Sequence, residues 1–382
     1  MLYHYVMNHN LGVIDLFSGC GGSALGFQQA GFSIKVAVDI NKQASDSFKA
    51  NFPESTVFSE DISYLSGKQL LKAGGFKSGK EVVLIACPPC QGFSSARRSS
   101  QRLTDPRNKL IYEFLRMVEE IRPLAFVMEN VPGLANGIGK PLFLQILHRL
   151  NELGYQTVYD VVNTADYGVP QRRRRLVLLG SIDPNIRLTF PSKTNVNPEF
   201  SDELPAWRTV KDVIFDLPPI DAGSKHSDDE LHRSASLADI NLERLQNTPH
   251  DGGDRSSWPE ELILECHKRT KGHKDVYGRM RWGEPSPTMT GGCAMISKGR
   301  FGHPEQNRAI SLREAARFQT FPDDFTFSGN FGEIAQQIGN AVPPLLAKRA
   351  ADSLMQAIKE STIREKLIVA DFVQPAFARQ TL

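Results

Sequence analysis

What most constrains this chain is an alternation. Short apolar runs, "LGVIDLF" at 11–17, "SIKVAVDI" at 33–40, "EVVLIAC" at 81–87, "AFVMEN" at 125–130 and "RRLVLLG" at 174–180, read as strands. Between them stand segments with apolar residues at helical spacing, notably "SALGFQQAG" at 23–31, "RNKLIYEFLRMVEEIRP" at 107–123 and "PLFLQILHRLNELG" at 141–154. Strands alternating with helices predict an α/β fold, a doubly wound and mostly parallel sheet. Such sheets bind ligands beyond the carboxyl ends of their strands. The chemically unusual stretches at 18–22, 88–94, 129–133 and 171–175 all fall at or beside a strand end.

The texture changes near residue 190. The stretch 192–305 is rich in Ser, Asp, Gly and Pro, is weakly periodic and holds six of the nine histidines. It reads as a smaller, loop-rich domain. Regular structure returns in "SLREAARFQTFP" at 311–322 and "IAQQIGNAVPPLLAKRAADSLMQAI" at 334–358. The expected division is 1–190, 191–305, a return segment 306–360 that completes the first domain, and a tail, 361–382, with no readable role. No apolar run reaches the roughly 18 residues of a membrane span, and "MLYHYVMNHN" lacks the pattern of a signal peptide, so a cytoplasmic protein is expected. Five scattered cysteines predict reduced thiols. A net charge of +2 does not announce nucleic-acid binding, but "ARR" at 96–98 and "QRRRRL" at 171–176 concentrate cations. Either cluster alone is more simply a solvated basic face.

The turn "SGCGG" after the first strand, with Asp39 ending the next, has the layout of a nucleotide-type site: glycines admit a ligand to the backbone and the carboxylate takes ribose hydroxyls. The G-x-G-G spacing fits a pyrophosphate cradle poorly and suits S-adenosylmethionine, which has no phosphate, better. A turn needing glycine only for its geometry is the plainer alternative. Cys87 and Cys90 admit three readings: a redox pair, half of a zinc site, or one reactive thiol. Two prolines between them, and no second tight pair of ligands elsewhere, favour the third and predict no metal. Cys87 closes an apolar strand as a small buried hydrophobe, and Cys90 is presented by a stiff turn.

An ordered series of motifs then resembles one family, the DNA (cytosine-5) methyltransferases: "DLFSGCGGSALGF", "DI" at 39–40, "EDI" at 60–62, "PPCQGFS", "DPRNKL", "ENVPG", "NTADYGVPQRRRRLVLLG", "REAARFQTFP" and "QIGNAVPP". The resemblance covers 11 to about 190 and 308–358, and "YGRMRWGEPSPTMT" looks like the family's segment just before the chain rejoins the catalytic domain. It implies the S-adenosylmethionine-dependent methyltransferase fold with a target-recognition domain in the loop-rich part. It implies methylation of cytosine carbon 5 within a short double-stranded DNA site, with the target base flipped out of the duplex and a host-protective role in restriction-modification. The catalytic residues it implies are Cys90, whose thiolate adds to carbon 6; Glu129, at ring nitrogen 3; Arg175, which holds the base and supports Cys90; and Arg173, at another functional position of the arginine block. S-adenosyl-L-methionine would meet Phe17, Ser18, Gly19, Gly21, Asp39, Ile40, Asp61, Pro89 and Asn340, and the DNA would meet Gln91, Ser94, Arg97 and Thr288. Arg174 stands where an acid is common in the family, and Ile40 where many members carry an aromatic residue. A monomer without an obligate protein partner is expected. Two alternatives stay open on this scaffold, a tRNA cytosine-5 methyltransferase and a non-catalytic DNA-binding relative.

Overall fold

The five apolar runs form strands of one seven-stranded sheet in the computed structural model, which describes residues 11–89, 109–269 and 275–373. The strands are β1 (Gly12–Leu16), β2 (Ser33–Val38), β3 (Thr56–Phe58), β4 (Val82–Ala86), β5 (Ala125–Asn130), β6 (Gln156–Asn163) and β7 (Arg174–Ser181), in the order β3-β2-β1-β4-β5-β7-β6. β1 to β5 pair in parallel, whereas β7 runs antiparallel to both β5 and β6. β3 and β6 are strands that the apolar pattern does not announce. β3 has only three residues, and β6 is an edge strand whose mostly part-exposed side chains include Asp160, so neither carries the continuous apolar run of a buried strand. The ten residues between β6 and β7 hold no crossover helix, so the chain can only turn back, and β7 is reversed.

Helices cover both faces. On one lie α1 (Gly22–Gln29) and α2 (Lys42–Asn51); on the other α3 (Gly67–Ala73), α4 (Leu110–Ile121), α5 (Pro132–Asn136) and α6 (Lys140–Glu152). Helix α4 shows why the pattern holds: Ile111, Phe114, Met117, Val118 and Ile121 form one apolar stripe, all buried. At about 1.5–3 kcal/mol for each such side chain, that stripe outweighs any helix propensity of the exposed face.

The middle of the chain contributes no strand to the sheet. It holds the short helices α7 (Lys211–Ile214), α8 (Asp239–Gln246) and α9 (Glu265–Arg269), and a small core of Leu245, Trp258, Leu262, Tyr277, Ile296 and Ala309. Its loops are tied by the buried Arg279, which donates to the carbonyls of Leu245, Thr248, His303 and Gln306 and to the Asn307 side chain. The chain then returns through α10 (Leu312–Phe318) and α11 (Phe331–Asn340), each opened by a capping box, to α12 (Pro344–Val373). The regular structure expected over 334–358 is two helices separated at Ala341–Pro343, and α12 runs on into the expected tail. Helix α12 lies directly on α1: a Cβ at Gly26 would stand 2.4 Å from the Pro344 carbonyl oxygen. Among the described residues no helix is long and apolar enough to cross a membrane.

Candidate active site

Strand order reverses beside β1, whose parallel neighbours are β2 and β4, and the turns leaving all three open at one edge. At the end of β1, Phe17 and Gly19 adopt positive φ (58° and 53°) and Gly21 follows at 100°. The backbone therefore doubles back through Ser18–Gly21 into α1. Phe17 pays the steric cost of a left-handed conformation, which a non-glycine residue holds only where its surroundings impose it. Asp39, one residue past β2, fixes the turn from the side: Oδ2 accepts the Gly19 amide at 2.8 Å and Oδ1 the Asn41 amide at 2.8 Å. Burial pushes this carboxyl up from its usual value and the two amides oppose the rise.

Asp15, inside β1, is more extreme. It is fully buried, and neither oxygen has a partner in good hydrogen-bond geometry. Burial, and then the neighbouring charge of Asp39, hold its carboxyl well above the usual range, with partial relief from the Ala24 amide. Two carboxyls are thus drawn under the turn, and the deeper one favours its neutral form.

From β4 the chain passes through Cys87, Pro88 and Pro89. Cys87 lies one residue beyond the strand, with its sulfur 3.4 Å from Ser23 Oγ. Burial, reinforced by Glu129, holds its thiol well above the ordinary value, so it stays neutral. The proline turn is pinned by Asn130 at the end of β5, whose Nδ2 donates to the Pro88 carbonyl at 3.0 Å while its Oδ1 accepts the Val131 amide at 2.8 Å. Asn130 is a positioning residue that the sequence reading passed over. Its signal was a buried polar residue closing an apolar strand.

Reversal of β7 brings the arginine block to the same edge. Glu129 pairs with Val177 in register, so Arg175, near the start of β7, reaches the carboxylate at the end of β5: Nε to Oε1 is 2.7 Å, with side chains 15% and 13% exposed. The contact is an ion pair by distance, not an aligned hydrogen bond. Arg173 points elsewhere. Its guanidinium is buried and donates to the carbonyls of Met289 (2.7 Å), Gly339 (3.2 Å) and Ala341 (3.2 Å). Burial, then Arg175, lower its pKa to about 9, which leaves it charged at neutral pH. Arg173, expected among the catalytic group, clasps the middle segment and the return segment to the sheet edge through these carbonyls.

A family model for C-5 cytosine-specific DNA methylases matches residues 11–356. The chain belongs to that family. Among relatives, the methylase is 37% identical over 361 residues to the type II methylase M.HgiDII of Herpetosiphon aurantiacus, covering 93% of this chain and 98% of that one. It is 37% identical over 348 residues to the type II methyltransferase M1.HphI of Haemophilus parahaemolyticus, covering 91% and 87%. Among solved structures, a protein described as a DNA modification methyltransferase encoded within an E. coli prophage superposes with a TM-score of 0.69 at 27% identity, covering 92% of this chain and all of that one.

The remaining expected site residues of the methylase fall as follows. Ile40 is 70% exposed beside Asp39, an apolar surface left open at the turn. Asp61 caps a short 3-10 helix through the Ser63 amide at 2.9 Å. Pro89 is half-buried, and Asn340 is exposed at the end of α11. Thr288 donates to the Arg172 carbonyl at 2.7 Å, beside the arginine block. Cys90, Gln91, Ser94 and Arg97 lie outside the described residues. Two buried glutamines that the sequence reading also passed over, Gln171 and Gln319, join side chains at 2.7 Å. Gln171 takes the Met289 amide, and Gln319 donates to carbonyls at the end of α11, so the pair locks the methylase's middle segment to its return helices. Among the described residues no group of three or more His, Cys, Asp or Glu side chains could hold a metal ion.

Proposed function

We propose that this methylase transfers a methyl group from S-adenosyl-L-methionine to carbon 5 of one cytosine in a specific short duplex DNA sequence, and that it protects host DNA within a restriction-modification system. The observation that carries the reading is the Glu129–Arg175 ion pair, 2.7 Å long, on the rim that also bears the cofactor turn and the proline turn leading to Cys90. The residues fit the cofactor. The buried Ser18 hydroxyl has no partner, a Cβ at Gly19 would meet nothing within 4 Å, and the Asp39 carboxylate is fixed beside that space. When bound, S-adenosyl-L-methionine supplies an electrophilic sulfonium methyl.

The chain's own residues prepare the base to accept it. The Cys90 thiolate adds to carbon 6 of a cytosine flipped out of the duplex, Glu129 supplies a proton or hydrogen bond to ring nitrogen 3, and electron density gathers at carbon 5. Arg175 orients Glu129 and the base. After transfer a base removes the carbon 5 proton, the bond from sulfur to carbon 6 breaks, and the thiolate is regenerated. Asn130 holds the Pro88 carbonyl and so fixes the proline turn at Pro88 and Pro89. Residues 191–305 are read as the target-recognition part, a reading supported by their absence from the sheet and by the small apolar cluster around Trp258 and Tyr277, while Met280, Met289 and Phe301 pack them onto the main core.

Bisulfite sequencing of a plasmid that carries and expresses the gene tests activity and target together. Methylation of one cytosine in one short site is expected. Labelled cofactor whose label enters tRNA and not duplex DNA overturns the reading. Cys90→Ser is expected to keep DNA and cofactor binding and to lose methyl transfer; full transfer by that variant refutes the assignment of the nucleophile.

A further inference from the structure

Next to the active-site edge, two arginines from distant parts of the chain converge on one half-exposed carboxylate. Arg172 Nη2 lies 3.2 Å from Glu284 Oε2, and Arg281 Nη1 lies 2.9 Å from Glu284 Oε1. Arg172 is also set from behind, its guanidinium 5.9 Å from the centre of the Trp207 ring, whose Nε1 is anchored on Asp166 at 2.9 Å. On the other side Thr288 Oγ1 bonds the Arg172 carbonyl.

The ion pairs are not needed to hold these segments together. Arg172 N donates to the Ser286 carbonyl at 2.9 Å, Ser286 N donates to the Pro170 carbonyl at 3.0 Å, and the buried Gln171 amide ties the same place. With side chains 50%, 37% and 56% exposed, Arg172, Glu284 and Arg281 form pairs that add little to stability. Two guanidinia flanking two oxygens of one anion is, however, the arrangement that receives a phosphate. Arg172 lies three residues before Arg175, so an anion held here would sit beside the entrance to the base site.

We propose that Arg172 and Arg281 form a clamp for a backbone phosphate of the duplex next to the flipped cytosine, and that Glu284 occupies the clamp in the free protein and is displaced by DNA. The proposal rests on the reading of the protein as a duplex DNA methylase. The test uses the full chain and a fluorescent duplex carrying the site mapped by bisulfite sequencing, with affinity measured across a salt series. Arg172→Gln and Arg281→Gln are each expected to weaken binding and to lower the slope of log affinity against log salt by about 0.9, one phosphate contact. Glu284→Gln removes a competing charge and no cation, so it is expected to bind at least about threefold more tightly, in line with an exposed pair.

Wild-type slopes in both arginine variants, or unchanged or weaker binding by Glu284→Gln, overturn the clamp. The glutamate variant decides the matter even where an arginine variant folds poorly, and cofactor affinity measured in each variant reports on folding. Failure of the wild type to methylate or bind any duplex instead overturns the functional reading beneath it.

Discussion

Glycine 26 sits in the middle of α1, where alanine would ordinarily be the better residue by up to about 1 kcal/mol. Here the neighbours reverse that sign. A Cβ at this position would lie 2.4 Å from the Pro344 carbonyl oxygen, 2.6 Å from the Lys348 amide nitrogen and 2.7 Å from Ala347 Cβ. The two nearest atoms are backbone of α12 and cannot rotate away, so restoring an ordinary 3.4 Å contact moves the helices apart by about 1 Å (3.4 minus 2.4). Overpacking of that kind costs about 1–3 kcal/mol, against a propensity gain of at most about 1, so Gly26→Ala is expected to destabilise by about 1–2 kcal/mol. Because α1 grows directly out of the Ser18–Gly21 turn, cofactor affinity should fall with stability.

Gly332→Ala is the control. Its Cβ would meet only Asn330 Oδ1, at 3.5 Å, and that variant should be stabilised by a few tenths of a kcal/mol up to about 0.5. Thermal midpoints and cofactor titration of the two variants beside wild type make the assay, with a fall on the order of 1–3 °C expected for Gly26→Ala. A Gly26→Ala protein as stable as wild type would refute the claim that close approach of α12 is what requires glycine there.

Two further outcomes follow from buried charges. Burial alone would raise the Glu314 carboxyl, but the bidentate contact with Arg308 (2.7 and 2.8 Å) overcomes it and lowers the pKa to about 2. A depressed folded-state pKa contributes stability that is complete above the unfolded value near 4.5 and is lost as pH falls toward 2, so wild type should lose stability over that window while Glu314→Gln shows a flatter acid limb. The variant should also be less stable at neutral pH by about 3–5 kcal/mol, because it leaves Arg308 buried and unpaired; parallel pH curves for the two proteins would contradict this. Arg173→Ala strands the carbonyls of Met289, Gly339 and Ala341 and is expected to lower the thermal midpoint while Arg173→Lys recovers part of the loss. If Arg173→Ala melts with wild type and loses only methyl transfer, Arg173 acts on the base and not as a clasp.

Local chemistry made much of this protein legible without a structure. Strands buried on both faces of a sheet are continuous apolar runs, so the parallel β1, β2, β4 and β5 and the antiparallel β7 could be read directly, and the glycine turn, the proline turn, "ENV" and the arginine block mark strand ends because turn-forming and charged residues gather where such runs stop. The strands that escaped, β3 and β6, are short or lie at an edge, where half-exposed side chains dilute the signal. What tertiary structure alone decided is how the pieces meet. Whether Arg173 or Arg175 faces Glu129 depends on the reversal of β7 and its register, since neighbouring arginines in a strand point to opposite faces and alternate ones share a face while reaching different partners. That Gly26 admits α12 and Gly22 the Ala341–Val342 backbone before it, while Gly19 and Gly21 serve the turn, depends on where the return segment comes to rest, some three hundred residues along the chain. Residue types carry the chemistry, but contact between distant segments is set by the packing of the whole chain, which no local window contains.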